Sequence, residues 1–303
     1  MEDENEKDGV LRKLPISGEN EKRQIIITEH IQQLCKGQDY TISGETIYEN
    51  QKIKYAVVFD GHGSDSVINF IRQMTKEKMN EIMATKCPGT TLYNYINASY
   101  ICKPTESSGS TMCLARIFTN HIEIINIGDS RAVIFKNNKI EFISEEHNYD
   151  NHAEYYRIKK EPKFKFFENS SNIKMIAQNI LQSTVKKFVM FNNGTGLALT
   201  QALGHCGKTG IKPTCTKILY NNEDSIRIIL GSDGFFDMII KNHHNNDFIN
   251  SDLFEIIDLP GQIILNRAVN RWLQVWNIEN DINTIKFKNE ECDDVSIIII
   301  DIF

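Results

Sequence analysis

The final nine residues, VSIIIIDIF (295–303), constrain the fold of this chain more than any other segment. Six of them are Val or Ile, and these β-branched side chains favour an extended backbone. A strand that is apolar along nearly its whole length has to be covered on both faces, as in the centre of a layered protein. We therefore predict that residues 295–303 form a buried central strand.

Other segments show strand-like or helix-like spacing. Apolar or β-branched stretches bounded by Gly, Asn or Asp predict strands at 25–28, 40–47, 53–59, 110–118, 121–127, 131–135, 139–143 and 225–231. Apolar residues three or four apart predict helices at 66–85, 90–102, 151–160 and 262–275. Consecutive strands joined by short turns favour antiparallel sheets, so we predict a layered α+β fold and not a doubly wound parallel sheet.

The domain organisation follows from the composition along the 303 residues. Residues 1–24 are charged and polar, which predicts an acidic flexible tail, and residues 25–303 are interpreted as a single domain. Within this domain, residues 161–195 mix Lys, Asn and aromatic residues without clear periodicity. We expect a variable insertion or flap in that region.

The charge and the cysteine content argue against several classes of protein. A net charge of −6 is unfavourable for nucleic-acid binding through a basic surface. The seven cysteines are widely spaced and include no C-x-x-C pair, which indicates a reducing compartment and no cysteine zinc site. The amino terminus has no apolar signal region, and no apolar run approaches the ~20 residues of a membrane span. We expect an intracellular monomer, cytoplasmic or nuclear, without a membrane segment.

Aspartates stand at the ends of several predicted strands. Two of them follow strands, one precedes the final strand, and another precedes the strand at 40–47: Asp60, Asp233, Asp293 and Asp39. Each one alone is explained as a turn residue. Together they can converge on one point, where their charges repel one another unless a cation neutralises them. Oxygen ligands without clustered Cys or His suit Mg²⁺ or Mn²⁺, and two such ions can share a hydroxide that attacks a phosphoester.

A series of motifs extends this pattern over nearly the whole chain. From Lys36 to Phe303 they are KGQDYTI, VVFDGHGSDS, ESSGSTMCLARI, NIGDSRAVIF, ISEEHNYDNHAEYYRI, LALTQALGH, ILGSDGFFDMI and CDDVSIIIIDIF. In residues and in order, the set resembles the metal-dependent protein serine/threonine phosphatases of type 2C. The resemblance implies two antiparallel β-sheets packed as a central sandwich with flanking α-helices, a four-layer α-β-β-α arrangement, and a binuclear metal centre at one end.

The resemblance also assigns the metal ligands by position. Asp60 would bridge two Mg²⁺ or Mn²⁺ ions. The complete set of ligands to these two ions would be Asp39, Asp60, the carbonyl of Gly61, Asp233 and Asp293.

Three further roles follow from the same resemblance. Glu146, where some such proteins have Asp, and Asp237 would bind a third, looser ion. His62 would be the general acid that protonates the leaving alcohol, and a histidine pKa near neutrality suits that task. Asp129 and Arg131 are expected to be structural.

The chain departs from the family pattern at three positions. The phosphate-binding arginine expected shortly before Asp39 is missing, and Lys36 is the nearby cation, able to act as a point charge but not as a bidentate fork. His205 stands where many members have Asp, and Asp294 replaces a common Asn.

The leading hypothesis is hydrolysis of phosphoserine and phosphothreonine in phosphoprotein substrates. The missing arginine motivates an alternative, a pseudophosphatase of the same fold that acts as a regulatory or binding module. The retained carboxylates argue against that alternative. A metal-dependent nuclease fits the aspartates, but neither the acidic charge balance nor the ordered motifs.

Overall fold

The computed structural model describes residues 23–99, 101, 107–161, 165–177, 180–190, 196–240, 251–279 and 281–303. The predicted tail at 1–24 lies outside these ranges except for its last two residues. Gln24 already belongs to the folded domain, since its carbonyl accepts a hydrogen bond from the backbone N–H of Phe303 at 3.1 Å. Among the described residues, no helix is long and apolar enough to cross a bilayer.

Strands make up most of the regular structure. In chain order they are β1 (Ile25–Gln32), β2 (Asp39–Tyr48), β3 (Gln51–His62), β4 (Gly109–Ser110), β5 (Met112–Ile117), β6 (His121–Ile127), β7 (Arg131–Lys136), β8 (Lys139–Ile143), β9 (Lys165–Ala177), β10 (Ile180–Met190), β11 (Gly196–Leu197), β12 (Leu203–Gly204), β13 (Thr214–Leu219), β14 (Ile226–Gly231), β15 (Val275–Ile278), β16 (Thr284–Lys286) and β17 (Val295–Ile302).

Two large antiparallel sheets form the centre of the molecule. The first sheet has the order β1-β17-β14-β7-β8. The second has the order β12-β4-β3-β5-β6-β13, with β2 also paired to β3. A smaller sheet contains β11, β10, β15 and β16, with β9 paired to β10.

The helices of the described residues are α1 (Ser66–Arg72), α2 (Lys76–Met83), α3 (Pro88–Asn97), α4 (His152–Lys159), α5 (Asp233–Phe236), α6 (Leu253–Ile256) and α7 (Gly261–Leu273), with short 3₁₀ turns at His205–Gly207 and Asn289–Glu291. The first three and the last three helices cover the outer faces of the two large sheets, whereas α4 packs against the smaller sheet, where Ile158 and Val189 form one small cluster. The single helix predicted at 66–85 is wrong, because α1 ends at Arg72 and Thr75 is the N-cap of α2. Its hydroxyl accepts a hydrogen bond from Lys78 N at 3.2 Å. The helix predicted at 90–102 lies at 88–97.

The buried final strand divides its side chains between two cores. Ile298 and Ile300 pack between the two large sheets, together with residues of β3, β5 and β6. Ile297 and Ile299 point the other way and pack against α7 at Trp272. The helices α1–α3 cover the outer face of the second sheet in the same manner. The predicted central strand and the α+β, four-layer α-β-β-α sandwich are therefore confirmed.

The chain changes sheets at Gly128. The strands β6 and β7 follow each other in sequence as predicted, but β6 belongs to the second sheet and β7 to the first. Gly128 has a φ of +96°, and a Cβ there would lie 2.7 Å from the side chain of Thr111. A residue with a side chain would be strained in this position, so glycine permits the crossover.

The region 161–195 contains a long hairpin. Strands β9 and β10 pair antiparallel, with an irregularity between Gln182 and Thr184, and β10 also pairs in parallel with β15. The mixture of Lys, Asn and aromatic residues in this segment has no clear periodicity from which these strands could be predicted. That the region is a variable insertion or flap remains a prediction.

Candidate metal centre

The strand pair β2–β3 brings two of the predicted ligands together. Asp39 opens β2 directly opposite Asp60 on β3. The sequence suggested that the strand ends before Asp60, but β3 continues through Gly61 to His62. Thr111 fixes the backbone at this point, because Asp60 N donates to its hydroxyl at 3.1 Å and its own N–H donates to the Asp60 carbonyl at 2.8 Å.

The first sheet contributes the other two carboxylates at the same end of the sandwich. Asp233 begins α5 just after β14, and Asp293 lies just before β17. The two segments are in close contact, since a Cβ on Gly234 would lie 2.0 Å from the Asp294 carbonyl oxygen and 3.2 Å from the Asp293 Cβ. Because β14 and β17 are neighbours, residues 60 positions apart in sequence meet at one site.

The proximity of these carboxyl groups shows in their pKa values. Burial is the largest cause of the strongly raised pKa of Asp60, and the negative charges of Asp233 and Asp39 add to it. Burial likewise raises the pKa of Asp39, although the Ser296 and Ser232 hydroxyls nearby oppose the rise. Burial and Asp233 raise the pKa of Asp293 to about 6. The shifts therefore come first from burial and then from the like charges that the carboxylates place on one another.

Two carboxylate oxygens at the site are buried without any hydrogen-bond partner among the described residues. They are Oδ2 of Asp39 and Oδ1 of Asp233. Such atoms are unfavourable in a folded protein unless something else completes them. Hard oxygen donors of this kind match the ligand preference of Mg²⁺ and Mn²⁺, so the donor set fits these cations.

Lys36 forms an ion pair with the carboxylate of Asp293. Its ammonium nitrogen lies 2.8 Å from Oδ1 and 2.9 Å from Oδ2 of Asp293. Burial disfavours the charged amine, yet Asp293, Asp233 and Asp60 together keep the Lys36 pKa above its ordinary value. In this arrangement, no three His, Cys, Asp or Glu side chains of the described residues are grouped closely enough to hold a metal ion.

Asp294 is a buried residue whose role the sequence did not reveal. Its carboxylate accepts hydrogen bonds from the backbone N–H groups of Leu34 at 2.7 Å, Cys35 at 3.2 Å and Gln38 at 2.8 Å. It thereby fixes the loop between β1 and β2, which carries Lys36 and leads into Asp39. The partners lie more than 250 positions apart in sequence, so no local signal could have identified them.

His62 is paired with His205. Their Nε2 atoms are 2.8 Å apart and the rings are stacked, with centroids 5.0 Å apart. Gly109 makes room for the pair, since a Cβ there would lie 2.3 Å from His205 Nε2 and 2.5 Å from His62 Nε2. Burial, followed by the nearby His205 and Lys36, lowers the pKa of His62 to about 3. The near-neutral pKa expected from the sequence does not hold in this arrangement, and the role of His62 as general acid stays a prediction.

The residues predicted to bind a third ion lie beside the main cluster. Both Glu146 oxygens are engaged, one with Arg131 Nη1 at 2.9 Å and the other with Asn148 Nδ2 at 2.6 Å. Asp237 is exposed at the end of α5. Asp129, expected to be structural, belongs to this group, because burial raises its pKa and the charges of Asp233, Glu146 and Asp237 contribute.

Comparison with known proteins decides the family. The family model of protein phosphatase 2C matches residues 33–254, which include Asp39, Asp60 and Asp233. The chain belongs to the protein phosphatase 2C family. Among curated relatives, this phosphatase 2C chain is 30% identical over 126 residues to a probable protein phosphatase 2C 52 of Oryza sativa subsp. japonica. The alignment covers 39% of this chain and 26% of that relative, so the matched part is about a quarter of the relative's own length.

Solved structures support the phosphatase 2C fold. A sex-determining protein of C. elegans superposes with a TM-score of 0.63 at 18% identity, covering 91% of this chain and 64% of that one. A serine/threonine phosphatase of S. agalactiae superposes with a TM-score of 0.53 at 12% identity, covering 91% and 99% of the two chains. At these identities the likeness establishes the fold alone.

Proposed function

We propose that this phosphatase 2C family protein hydrolyses phosphoserine and phosphothreonine in phosphoprotein substrates, with Mg²⁺ or Mn²⁺ at the strand-end carboxylates. The observation that carries the proposal is the pair of buried, unpartnered oxygens on Asp39 and Asp233. Buried carboxylates without a counter-charge destabilise a folded protein unless a cation binds them.

The proposed cations would be held by residues from both sheets. Two ions would be shared among Asp39, Asp60, the Gly61 carbonyl, Asp233 and Asp293, with Asp60 serving both. A third, looser ion would be held by Glu146 and Asp237, with Asp129 close to both. When bound, these ions would lower the pKa of a water molecule and neutralise the negative charge of the phosphate.

The rest of the chemistry belongs to the chain. The paired strands β2 and β3 hold Asp39 and Asp60 opposite each other, which keeps the ligand positions rigid. His62, next to Gly61 in sequence, is our candidate proton donor for the leaving alcohol. Lys36 is the candidate for contact with the substrate phosphate, as a point charge in place of the missing arginine.

One observation favours the alternative of a pseudophosphatase. Lys36 sits on Asp293, where a metal would have to bind, and no arginine precedes Asp39 in the segment from residue 24 onward. A protein in which this ion pair persists at millimolar metal would serve as a regulatory or binding module.

The proposal is tested by phosphate release from a phosphoserine peptide. We expect turnover that depends on added Mn²⁺ and falls about a thousandfold in Asp60→Asn, because the shared ligand is lost. The matched control is Asp258→Asn, the same chemical change at an exposed aspartate between α6 and α7. Robust turnover without metal would contradict the proposal. Absence of both turnover and Mn²⁺ binding in calorimetry would favour the pseudophosphatase.

A further inference from the structure

The Lys36–Asp293 ion pair engages a carboxylate that is also a proposed metal ligand. Lys36 contacts both oxygens of Asp293, at 2.8 and 2.9 Å. The lysine side chain is 43% exposed and the aspartate side chain 20% exposed. One partner can therefore turn into solvent while the other is fixed at the site.

The Lys36 ammonium is a positive charge in contact with this group of carboxylates. Asp293 lies close to Asp233 and Asp60, and their like charges repel without a neutralising partner. Lys36 supplies one positive charge to this group. It contacts neither Asp39 Oδ2 nor Asp233 Oδ1, the two buried oxygens that have no hydrogen-bond partner in the part of the chain that the structure describes.

We propose that Lys36 is a built-in competitor for the Asp293 ligand position: it neutralises Asp293 in the metal-free protein and is displaced when a divalent cation binds. This inference rests on the proposed metal site. A carboxylate whose two oxygens both receive the same ammonium cannot also hold a divalent cation beside that ammonium without strong repulsion. The competition lowers metal affinity, and it stabilises the protein in the absence of metal.

The inference predicts opposite effects of one substitution in the two states. In Lys36→Met, Asp293 is free for the cation, and we expect Mn²⁺ to bind roughly five- to tenfold more tightly than in the wild type. In chelator, the same variant loses its counter-charge and should unfold at a lower temperature. Lys36→Arg keeps the charge and can pair with both oxygens of Asp293, so its Mn²⁺ affinity should not exceed that of the wild type.

Calorimetric titration of the full chain with MnCl₂ measures the affinity. The control is Lys139→Met, which removes an exposed lysine at the start of β8, away from the strand ends that carry the ligands. Tighter binding in Lys36→Met, but not in Lys139→Met or Lys36→Arg, supports the inference. Equal affinity in wild type and Lys36→Met overturns it and leaves the metal site standing. No binding in either protein overturns the inference together with the proposed function.

Thermal unfolding provides an independent readout without turnover. The expected result is a lower midpoint for Lys36→Met in chelator, together with a larger Mn²⁺-induced increase than in the wild type. A midpoint lowered equally with and without Mn²⁺ would show that Lys36 is merely structural, and would overturn the inference.

Discussion

Two regions of the molecule bury aspartates in opposite ways. Asp252, under the α7 layer, accepts hydrogen bonds from Arg271 Nη1 at 2.5 Å and from Ile240 N at 2.9 Å. Asp39, at the strand ends, keeps one buried oxygen without a partner among the described residues. Both side chains are almost fully inaccessible, so burial does not explain the difference.

Glu154 resembles Asp252, because its buried carboxylate also accepts hydrogen bonds. It receives Arg157 Nη2 at 2.8 Å and the Thr200 hydroxyl at 2.6 Å. Although burial opposes it, these partners lower the pKa of Glu154 below its ordinary value. In these two structural carboxylates a guanidinium supplies the positive charge. Among the described residues none reaches Oδ2 of Asp39, since Arg72 donates to the Asp39 backbone carbonyl instead, and this is expected of an oxygen that serves a cation from solution.

The largest expected effect tests the satisfied region. Arg271→Met removes the nearer of two guanidinium groups from buried Asp252, at 2.5 Å against 3.6 Å for Arg267, and we expect the free energy of unfolding to fall by about 3–5 kcal/mol. Arg267→Met removes the more distant and more exposed group, one turn earlier, and as the graded comparison should lose about 1 kcal/mol or less. Urea unfolding of both variants measures the difference. A loss below that of Arg267→Met would remove the contrast between the two regions.

The next effect uses the pH dependence of the strand-end cluster in chelator. Folding raises the pKa of Asp293 from 3.8 to about 6, so the folded protein binds this proton more tightly than the unfolded chain. Stability from this group is therefore present below pH 4 and lost as the pH rises through 6. Asn does not titrate, so Asp293→Asn should gain at most roughly 3 kcal/mol relative to the wild type between pH 4 and pH 7.

Urea unfolding of both proteins at matched pH values checks this sign. Taking the difference between the two proteins removes the contribution of groups such as His62, whose lowered pKa acts in the opposite direction. If the difference in the free energy of unfolding between the two proteins stays the same from pH 4 to pH 7, the cluster of like charges is contradicted.

The smallest effect compares the two buried aspartates directly. In chelator, Asp39→Asn removes an unpaired charge and should stabilise the protein by about 1 kcal/mol, whereas Asp252→Asn should destabilise it. Calorimetry should show that only Asp39→Asn weakens Mn²⁺ binding. If both variants shift stability in the same direction, Asp39 is a structural residue like Asp252.

Much of the fold was accessible from the sequence because the signals were local. The strands at 121–127 and 139–143 match β6 and β8, since turn residues bound an apolar run on both sides. The break at Thr75 was missed because the apolar spacing continues across it. The crossover at Gly128 was missed because a sheet change and a tight turn share the same glycine signal.

The site was less accessible because it is assembled from distant segments. Asp39, Asp233 and Asp293 lie at strand ends as the sequence indicated, Asp60 lies two residues inside the end of β3, and their role as metal ligands stays a prediction. Nothing in the sequence could show that Lys36 pairs with Asp293, because that contact spans 257 positions. The same holds for the partnership of His62 with His205, 143 positions away, which changes the pKa of the imidazole.

The Asp294 carboxylate, through its hydrogen bonds to the loop between β1 and β2, affects the rate of cation exchange. It ties the backbone at Leu34, Cys35 and Gln38, so Lys36 can leave Asp293 by rotating its own side-chain bonds while the loop stays in place. Exposed side chains change rotamer in picoseconds to nanoseconds, whereas loops move over nanoseconds to microseconds. Displacement of the lysine should therefore never be the slow step, and the ion pair acts as a fast pre-equilibrium that leaves only a fraction of Asp293 open to the cation. The apparent association rate of Mn²⁺ should rise in Lys36→Met by the same factor as the affinity, with the dissociation rate unchanged.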